Sequence, residues 1–216
     1  RADLFRGAQC ILTPTPRTSH RRRAARGSHE RALIDAILDE ALVCQIGVSM
    51  PDGPHVLPTA HARVGDFLYF HGARQNQLLL ATLAGPSCVS ATLLDGLVFS
   101  REAFHHSMNY RSLVLFGQAS EVGDPDEKER ALRALIERAA PGRWAEVIAP
   151  SAAELAATLV VRFPIQEGSA KVRKGPPLDP AHEANAGIWA GVLPLRLVAS
   201  APRVDALDDV APRLSA

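Results

Sequence analysis

The chain reads as a mainly β protein, an antiparallel barrel, closed or partly closed, with helices at its periphery. Three observations predict this. Short apolar stretches with strand character follow one another along the 216 residues, separated by Gly, Pro and Asp turn signals. Helical periodicity is confined to a few intervening segments. Strand and helix do not alternate regularly, which disfavours a parallel doubly wound sheet. A chain of this length buries roughly 70% of its unfolded surface and needs no disulfide or metal staple.

Taken in order, residues 1–27 lack periodicity and carry Pro14, Pro16 and the arginines 17, 21, 22, 23 and 26. They read as a mobile basic arm, or one ordered only on a partner surface. Ser28 is placed to cap a helix bearing Ile34, Leu38 and Leu42 beside Leu33, Ile37 and Ala41. Val43 to Ser49 reads as a strand, Pro51 to Pro54 as a turn and His55 to Val64 as the return strand. Phe67 to His71 forms a further strand, and Gln75 to Ala84 a short helix ended by Gly85-Pro86. Cys88 to Leu94 and Leu97 to Phe104 read as a hairpin around Asp95-Gly96. Tyr110 to Val122 is the longest strand candidate.

Asp124-Pro125-Asp126-Glu127 opens the next helix with a cap, a first-turn proline and a capping box. Ser151 to Glu154 is a second capping box. Thr158 to Val172 reads as a strand bent at Pro164. Pro176-Pro177 starts a polar connector, Trp189 to Val198 is a last apolar segment, and 199–216 reads as a tail. The folded domain is therefore expected over 28–198.

Composition narrows the function. A formal net charge of +1 makes no global case for nucleic acid or an acidic membrane surface. No apolar run approaches the ~18 residues of a membrane span. Three cysteines, Cys10, Cys44 and Cys88, fit neither a zinc pattern nor a disulfide framework. They predict free thiols and a reducing, cytoplasmic setting. His105-His106 is no metal motif, because adjacent strand residues point to opposite faces. No Gly-rich dinucleotide, Walker or nucleophile-elbow signature is present.

Four constellations could carry chemistry. His71-Gly72-Ala73-Arg74-Gln75-Asn76-Gln77 lies at a strand-to-helix junction, where free N–H groups bind phosphate. A polar helix cap that binds nothing uses the same residues. Phe104-His105-His106-Ser107-Met108-Asn109-Tyr110-Arg111-Ser112 crowds polar groups at the mouth of a core strand. Asn109 and Arg111 share one face and suit a polar ring edge; a hydrogen-bonded barrel rim is the alternative. Lys171 and Arg173 share a strand face and suit an anion, or form a solvated edge. Trp189 suits a planar aromatic ligand, or plugs the barrel end.

These segments together resemble the FMN-binding split-barrel family, the pyridoxamine 5′-phosphate oxidase-like flavoproteins. The branch is that of flavin-nucleotide-binding proteins related to nitroimidazole-resistance proteins. The stretches that carry the resemblance run from Arg26-Gly27-Ser28-His29-Glu30-Arg31 to Trp189-Ala190-Gly191-Val192-Leu193-Pro194-Leu195. Between them lie Leu68 to Gly72, Asp95 to Val98, Phe104 to Ser112, Pro141 to Trp144 and Ser169 to Arg173.

The resemblance implies a six-stranded antiparallel split barrel of Greek-key type, a homodimer with two FMN sites in its interface, and a small-molecule substrate. It implies backbone contacts to the isoalloxazine edge from Leu57, Pro58 and Thr59. It places ribityl and phosphate against Phe70, His71, Gly72, Arg74, Asn76 and Gln77. Asn109, Tyr110, Arg111, Ser112, Lys171, Arg173 and Trp189 would complete the site, in part from the other subunit. One departure stands out. The branch carries a serine–arginine pair where this chain has Asn76 and Gln77, so the expected phosphate-gripping arginine is missing. The implied activity is FMN-dependent oxidoreduction with no assigned catalytic base. A flavin carrier or sensor, and the same barrel holding F420 or haem on His71 or His106, are the alternatives.

Overall fold

A computed structural model describes residues 10–178 and 187–203. The fold is mainly β and antiparallel. Its elements are β1 (Gly27–Ser28), α1 (Arg31–Glu40), β2 (Val43–Met50), β3 (Gly53–Ala60), β4 (Ala62–Val64), β5 (Phe67–Ala73), α2 (Gln77–Ala84), β6 (Ser87–Phe99) and β7 (Ser107–Gly117). They continue with β8 (Ser120–Glu121), α3 (Pro125–Ala139), α4 (Ala152–Ala157), β9 (Thr158–Pro164), β10 (Glu167–Arg173) and β11 (Gly191–Pro194). A larger sheet runs β1-β10-β7-β6-β2-β3, with β11 also on β6, and a smaller one runs β4-β5-β9-β8.

The chain passes from one sheet to the other at three strand-to-strand joints. These are His61 between β3 and β4, Gln118-Ala119 between β7 and β8, and Ile165-Gln166 between β9 and β10. Long strands expected from the sequence, His55 to Val64, Tyr110 to Val122 and Thr158 to Val172, are thus each divided between sheets. Each joint is tied down. Ala119 N–H donates to the Thr82 carbonyl (3.1 Å), Ile165 N–H to Asp66 (2.9 Å), and His61 Nε2 meets the Leu38 carbonyl at 3.0 Å.

Both sheets face one core. Ile46 and Val48 of β2, Leu68 and Phe70 of β5, Val89 and Ala91 of β6, Leu113 and Leu115 of β7 and Val161 and Phe163 of β9 meet Ile34, Ile37 and Leu38 of α1 there. The period of two sends Tyr69 and Val160 to the other face of the small sheet, where they pack with Val122, just past β8, and with Ala131 of α3. Cys44 is buried in the main core, and burial pushes its thiol up to about 12. The three cysteines are free.

Several local expectations change. Asp95-Gly96 is not a hairpin: β6 runs straight through it, with a register shift against β7 between Leu94 and Gly96. The Asp-Gly pair marks a β-bulge, a role the same residues serve. Phe104 leaves the strand for a short 3₁₀ turn, Ala103–His105. Ser28 does not cap α1, whose cap residue is Glu30 and which has no side-chain cap. Asp124 caps α3 as expected, accepting from the Asp126 and Glu127 N–H groups. Glu127 does not close that box, because its carboxylate instead takes the Tyr69 hydroxyl (2.8 Å) and Arg162 (3.0 Å). The Ser151–Glu154 capping box forms.

Of the N-terminal stretch, residues 1–9 lie outside the described residues, as do 179–186 in the connector and 204–216 of the tail. Residues 10–28 lie along β10 and α1. Leu12 N–H donates to the His29 carbonyl and Arg31 N–H to Cys10, both at 2.9 Å. Thr15 Oγ1 donates to Glu167 (2.6 Å), and Arg17 forks onto the same carboxylate. Leu12 and Thr18 are buried.

Candidate functional site

The strand-to-helix junction after β5 forms because Asn76 caps α2, its side-chain oxygen accepting the Leu79 N–H (3.1 Å). The first-turn N–H groups of Gln77 and Leu78 have no partner within their own helix, as at any helix start. A cleft of about 560 Å³ opens beside them, lined by Gln77, Leu80, Ala81 and Ala84 and by Ser49 to Pro51 of the β2–β3 turn. Gly72 does not offer its backbone to a ligand. A Cβ there would meet Asn76 Nδ2 at 2.9 Å, so glycine makes room for the cap residue. Phe70 is 1% exposed and belongs to the core, not to a ligand surface. Arg74 is paired with Glu121 (2.9 Å) on the surface, and the Gln77 amide donates to the Gln75 carbonyl (3.2 Å). His71 has no hydrogen-bond partner among the described residues. Its imidazole keeps solvent access, yet the surrounding protein desolvates it and lowers its pKa.

The second group lies on β7 and β10. Arg111 does share a face with Asn109, but neither side chain is free. Arg111 is clamped between Glu40 at the end of α1 and Asp95 in the β6 bulge. Both carboxylates raise its pKa. Asn109 is buried, accepts from Arg173 and donates to the Gly175 carbonyl (3.1 Å). Ser112 Oγ donates to the Lys171 carbonyl (3.4 Å). Lys171 pairs across from Ser112 and Arg173 across from Tyr110. Lys171 and Ser112 face a recess of about 290 Å³ under Arg17 to His20 of the N-terminal segment.

The third group was only half legible in the sequence. Trp189 packs on Phe99 (ring centroids 5.6 Å apart), and Phe99 meets the His106 ring edge-on at 5.8 Å. His106 Nδ1 lies 3.1 Å from the Glu102 carbonyl. A carbonyl can only accept, so Nδ1 carries the proton, and in the neutral ring the lone pair then lies on Nε2. Phe104 (91% exposed), Met108, Ile188 and Leu193, on the same strand ends and the segment that carries Trp189, are exposed apolar side chains.

Leu57, Pro58 and Thr59 lie on β3, the last strand of the larger sheet. Val56 is 66% and Leu57 45% exposed. The outer edge of β3 pairs with no strand among the described residues, and such an edge invites a ligand or another chain. The structure therefore places the expected site residues in separate groups. Three cavities touch them, beside α2, beside β7–β10 and, at Arg173, beside the end of β10, and these share no lining residue. Glu40 and Asp95 were not foreseen as Arg111's partners: one sits at a helix end, and the other was hidden in an apparent hairpin turn. No cluster of three or more His, Cys, Asp and Glu side chains suited to a metal ion exists among the described residues. No helix among them is long and apolar enough to cross a membrane.

A family model described as pyridoxamine 5′-phosphate oxidase matches residues 30–172. The chain belongs to the pyridoxamine 5′-phosphate oxidase family. Among solved members with this fold, the flavocytochrome Anf3 from Azotobacter vinelandii is 35% identical, covering 94% of this chain and 96% of that one, with a TM-score of 0.87. A FAD and haem binding protein from Mycobacterium smegmatis is 38% identical, covering 86% and 91%, with a TM-score of 0.80. A candidate 5-nitroimidazole antibiotic resistance protein from Bacteroides thetaiotaomicron shares the fold at 20% identity and a TM-score of 0.58, covering 68% and 86%. A comparison with curated proteins found no match.

Proposed function

We propose that this chain is a flavin-binding redox protein that works as a homodimer and also takes haem. The observation that carries this reading is the likeness, over most of both chains, to a flavocytochrome and to a FAD- and haem-binding protein. The residues fit both groups. The open edge of β3 offers backbone donors and acceptors to an isoalloxazine edge, and the free N–H groups opening α2 suit a phosphate. Within one chain these elements stand apart from the β7–β10 rim, so a second copy completes the site.

The sequence pointed to FMN. The α2 cradle, however, holds no unpaired cation among the described residues, since Gln77 replaces the expected arginine and Arg74 is engaged by Glu121. A lost charge-assisted contact is worth about 1.5–3 kcal/mol. The dianionic phosphate of FMN suffers most from that loss. FAD adds contact area through its adenosine, so FAD binding at least as tight as FMN is expected. His106 is the better prepared of the two candidate haem ligands, with Nε2 free, Nδ1 oriented by a carbonyl and aromatic rings beside it. His71 lacks an orienting partner.

When bound, flavin and haem supply hydride and one-electron chemistry, while the protein positions them and selects the substrate. A small-molecule redox partner and oxidoreductase turnover are the expected activity. The test is reconstitution of the purified chain with FAD, FMN and haemin, followed by visible spectra of wild type, His106→Ala and His71→Ala. His106→Ala should lose the Soret band while His71→Ala keeps it. Failure of haemin to give a Soret band in wild type would remove haem from the proposal.

A further inference from the structure

Between the N-terminal segment and the end of β10 lies a recess of about 600 Å³. Arg26, Gly27 and Ser28 form one wall, and Val172, Arg173 and Lys174 the other. Glu30 and Leu33 close it from α1, which begins there without a side-chain cap. The charge of this recess is one-sided. Arg173 is only 6% exposed, and no carboxylate among the described residues pairs with it. Its guanidinium meets neutral acceptors alone: the Asn109 amide oxygen, the Gly175 carbonyl (3.3 Å) and the Pro176 carbonyl (3.2 Å). Its Nε is buried and finds no acceptor.

Burial, and the positive charges of Arg26 and Arg23, lower the Arg173 pKa. Neither Arg26 nor Lys174 forms an ion pair among the described residues. Arg23, at the head of the turn that delivers Arg26, adopts a left-handed conformation (φ 54°) unusual for a residue with a side chain. Among the described residues Glu30 is the single carboxylate in the wall, and it is solvent-exposed. A buried guanidinium without a counter-ion, beside two further cations, is costly unless an anion supplies the missing charge.

We propose that this recess is a binding site for a phosphoryl-bearing anion, separate from the α2 cleft. Arg173 is its fixed buried counter-charge, and Arg26 and Lys174 reach the ligand from either side. Guanidinium forks match phosphoryl oxygens in geometry as well as charge. The ligand is either a free phosphate or diphosphate or the phosphate end of a nucleotide, and the site does not depend on the flavin reading.

The test is calorimetric titration of the full chain with inorganic pyrophosphate and with ADP, against chloride at matched ionic strength. Flavin-free and flavin-loaded protein are both measured. Binding at one site per chain, unchanged by flavin, is expected. ADP binding tighter than pyrophosphate would identify a nucleotide, and equal affinities a free anion. Arg26→Ala with Lys174→Ala, two positions outside the core, should weaken binding at least about 10-fold while flavin affinity and melting temperature hold. Arg173→Lys should weaken it as well.

Three results would overturn the proposal. One is heat no greater than chloride gives, and another is undiminished binding by the double variant. The third is loss of pyrophosphate binding on flavin loading, which would assign the recess to the flavin itself. Asp179 and Glu183 follow in the chain outside the described residues. Binding seen only after Asp179→Asn with Glu183→Gln would show that the chain's own acids fill the recess, and would also reject it.

Discussion

Arg111 joins two carboxylates that are far apart in the chain, Glu40 and Asp95, and so ties the end of α1 to the β6 bulge. The sequence reading gave this guanidinium to a cofactor. The structure makes it a bracket, with Arg111 holding the Glu40 carboxyl below its usual range. Arg111→Ala should therefore lower the stability of flavin-free protein by about 1–3 kcal/mol, measured by urea unfolding. An unchanged midpoint with weaker flavin binding would restore the cofactor role.

His61 is the other telling residue. It is 2% exposed, sits at the β3–β4 joint, and burial lowers its pKa below 6.5. The unfolded chain thus takes up this proton at higher pH than the folded one. The stabilising contribution is complete above the unfolded pKa and is lost as pH falls from there through the folded value. Stability should fall as pH drops below about 6.5, and His61→Gln should flatten that slope by up to one proton, as read from unfolding at several pH values. An unaltered slope would mean that other groups, such as His71 and His20, account for it all.

Residue types were legible in the sequence where partners were not. That Asn109, Arg111 and Arg173 stand at a polar rim follows from the pattern. That they bond to each other and to Glu40 and Asp95 depends on contacts between positions far apart in the chain.

At the scale of elements, local chemistry was readable wherever a motif had one outcome. Asp124 and Ser151 cap their helices, and the β2–β3 turn closes at Gly53 (φ 130°). Reading failed where one motif serves two structures. An Asp-Gly pair suits a hairpin turn and a bulge equally, and only the pairing of β6 with β7 over its whole length decides. The same holds for the strands that change sheets, because an apolar run does not announce which sheet each half joins.

The helix–sheet contact at α3 shows what a cap residue can be diverted to do. Glu127 accepts from Tyr69 and Arg162, and burial with this carboxylate pushes the Tyr69 phenol up to about 12. Glu127→Ala should cost about 2 kcal/mol in urea unfolding, whereas Asp126→Ala, exposed on the same turn, should cost no more than about 0.5 kcal/mol. Equal costs would show that the helix dipole, not the network, carries the effect.

For the whole molecule, the central point is how the proposed flavin site is divided. The α2 cradle and the β7–β10 rim, both assigned to the proposed flavin site, line separate cavities that share no residue, while β3 borders another cavity with Phe116 of β7. In the proposed homodimer a second copy would complete the site, and light scattering on the purified protein should return twice the chain mass. Val56→Lys, at a position 66% exposed on β3, should yield monomers that lose flavin together with the partner. A monomeric variant that keeps flavin would contradict the shared site.

The measurement that tests the account most directly is the visible spectrum of the purified full chain, before and after FAD, FMN and haemin are added and the excess removed. The account predicts retained flavin bands together with a Soret band. A chain that stays colourless through all three additions would contradict it.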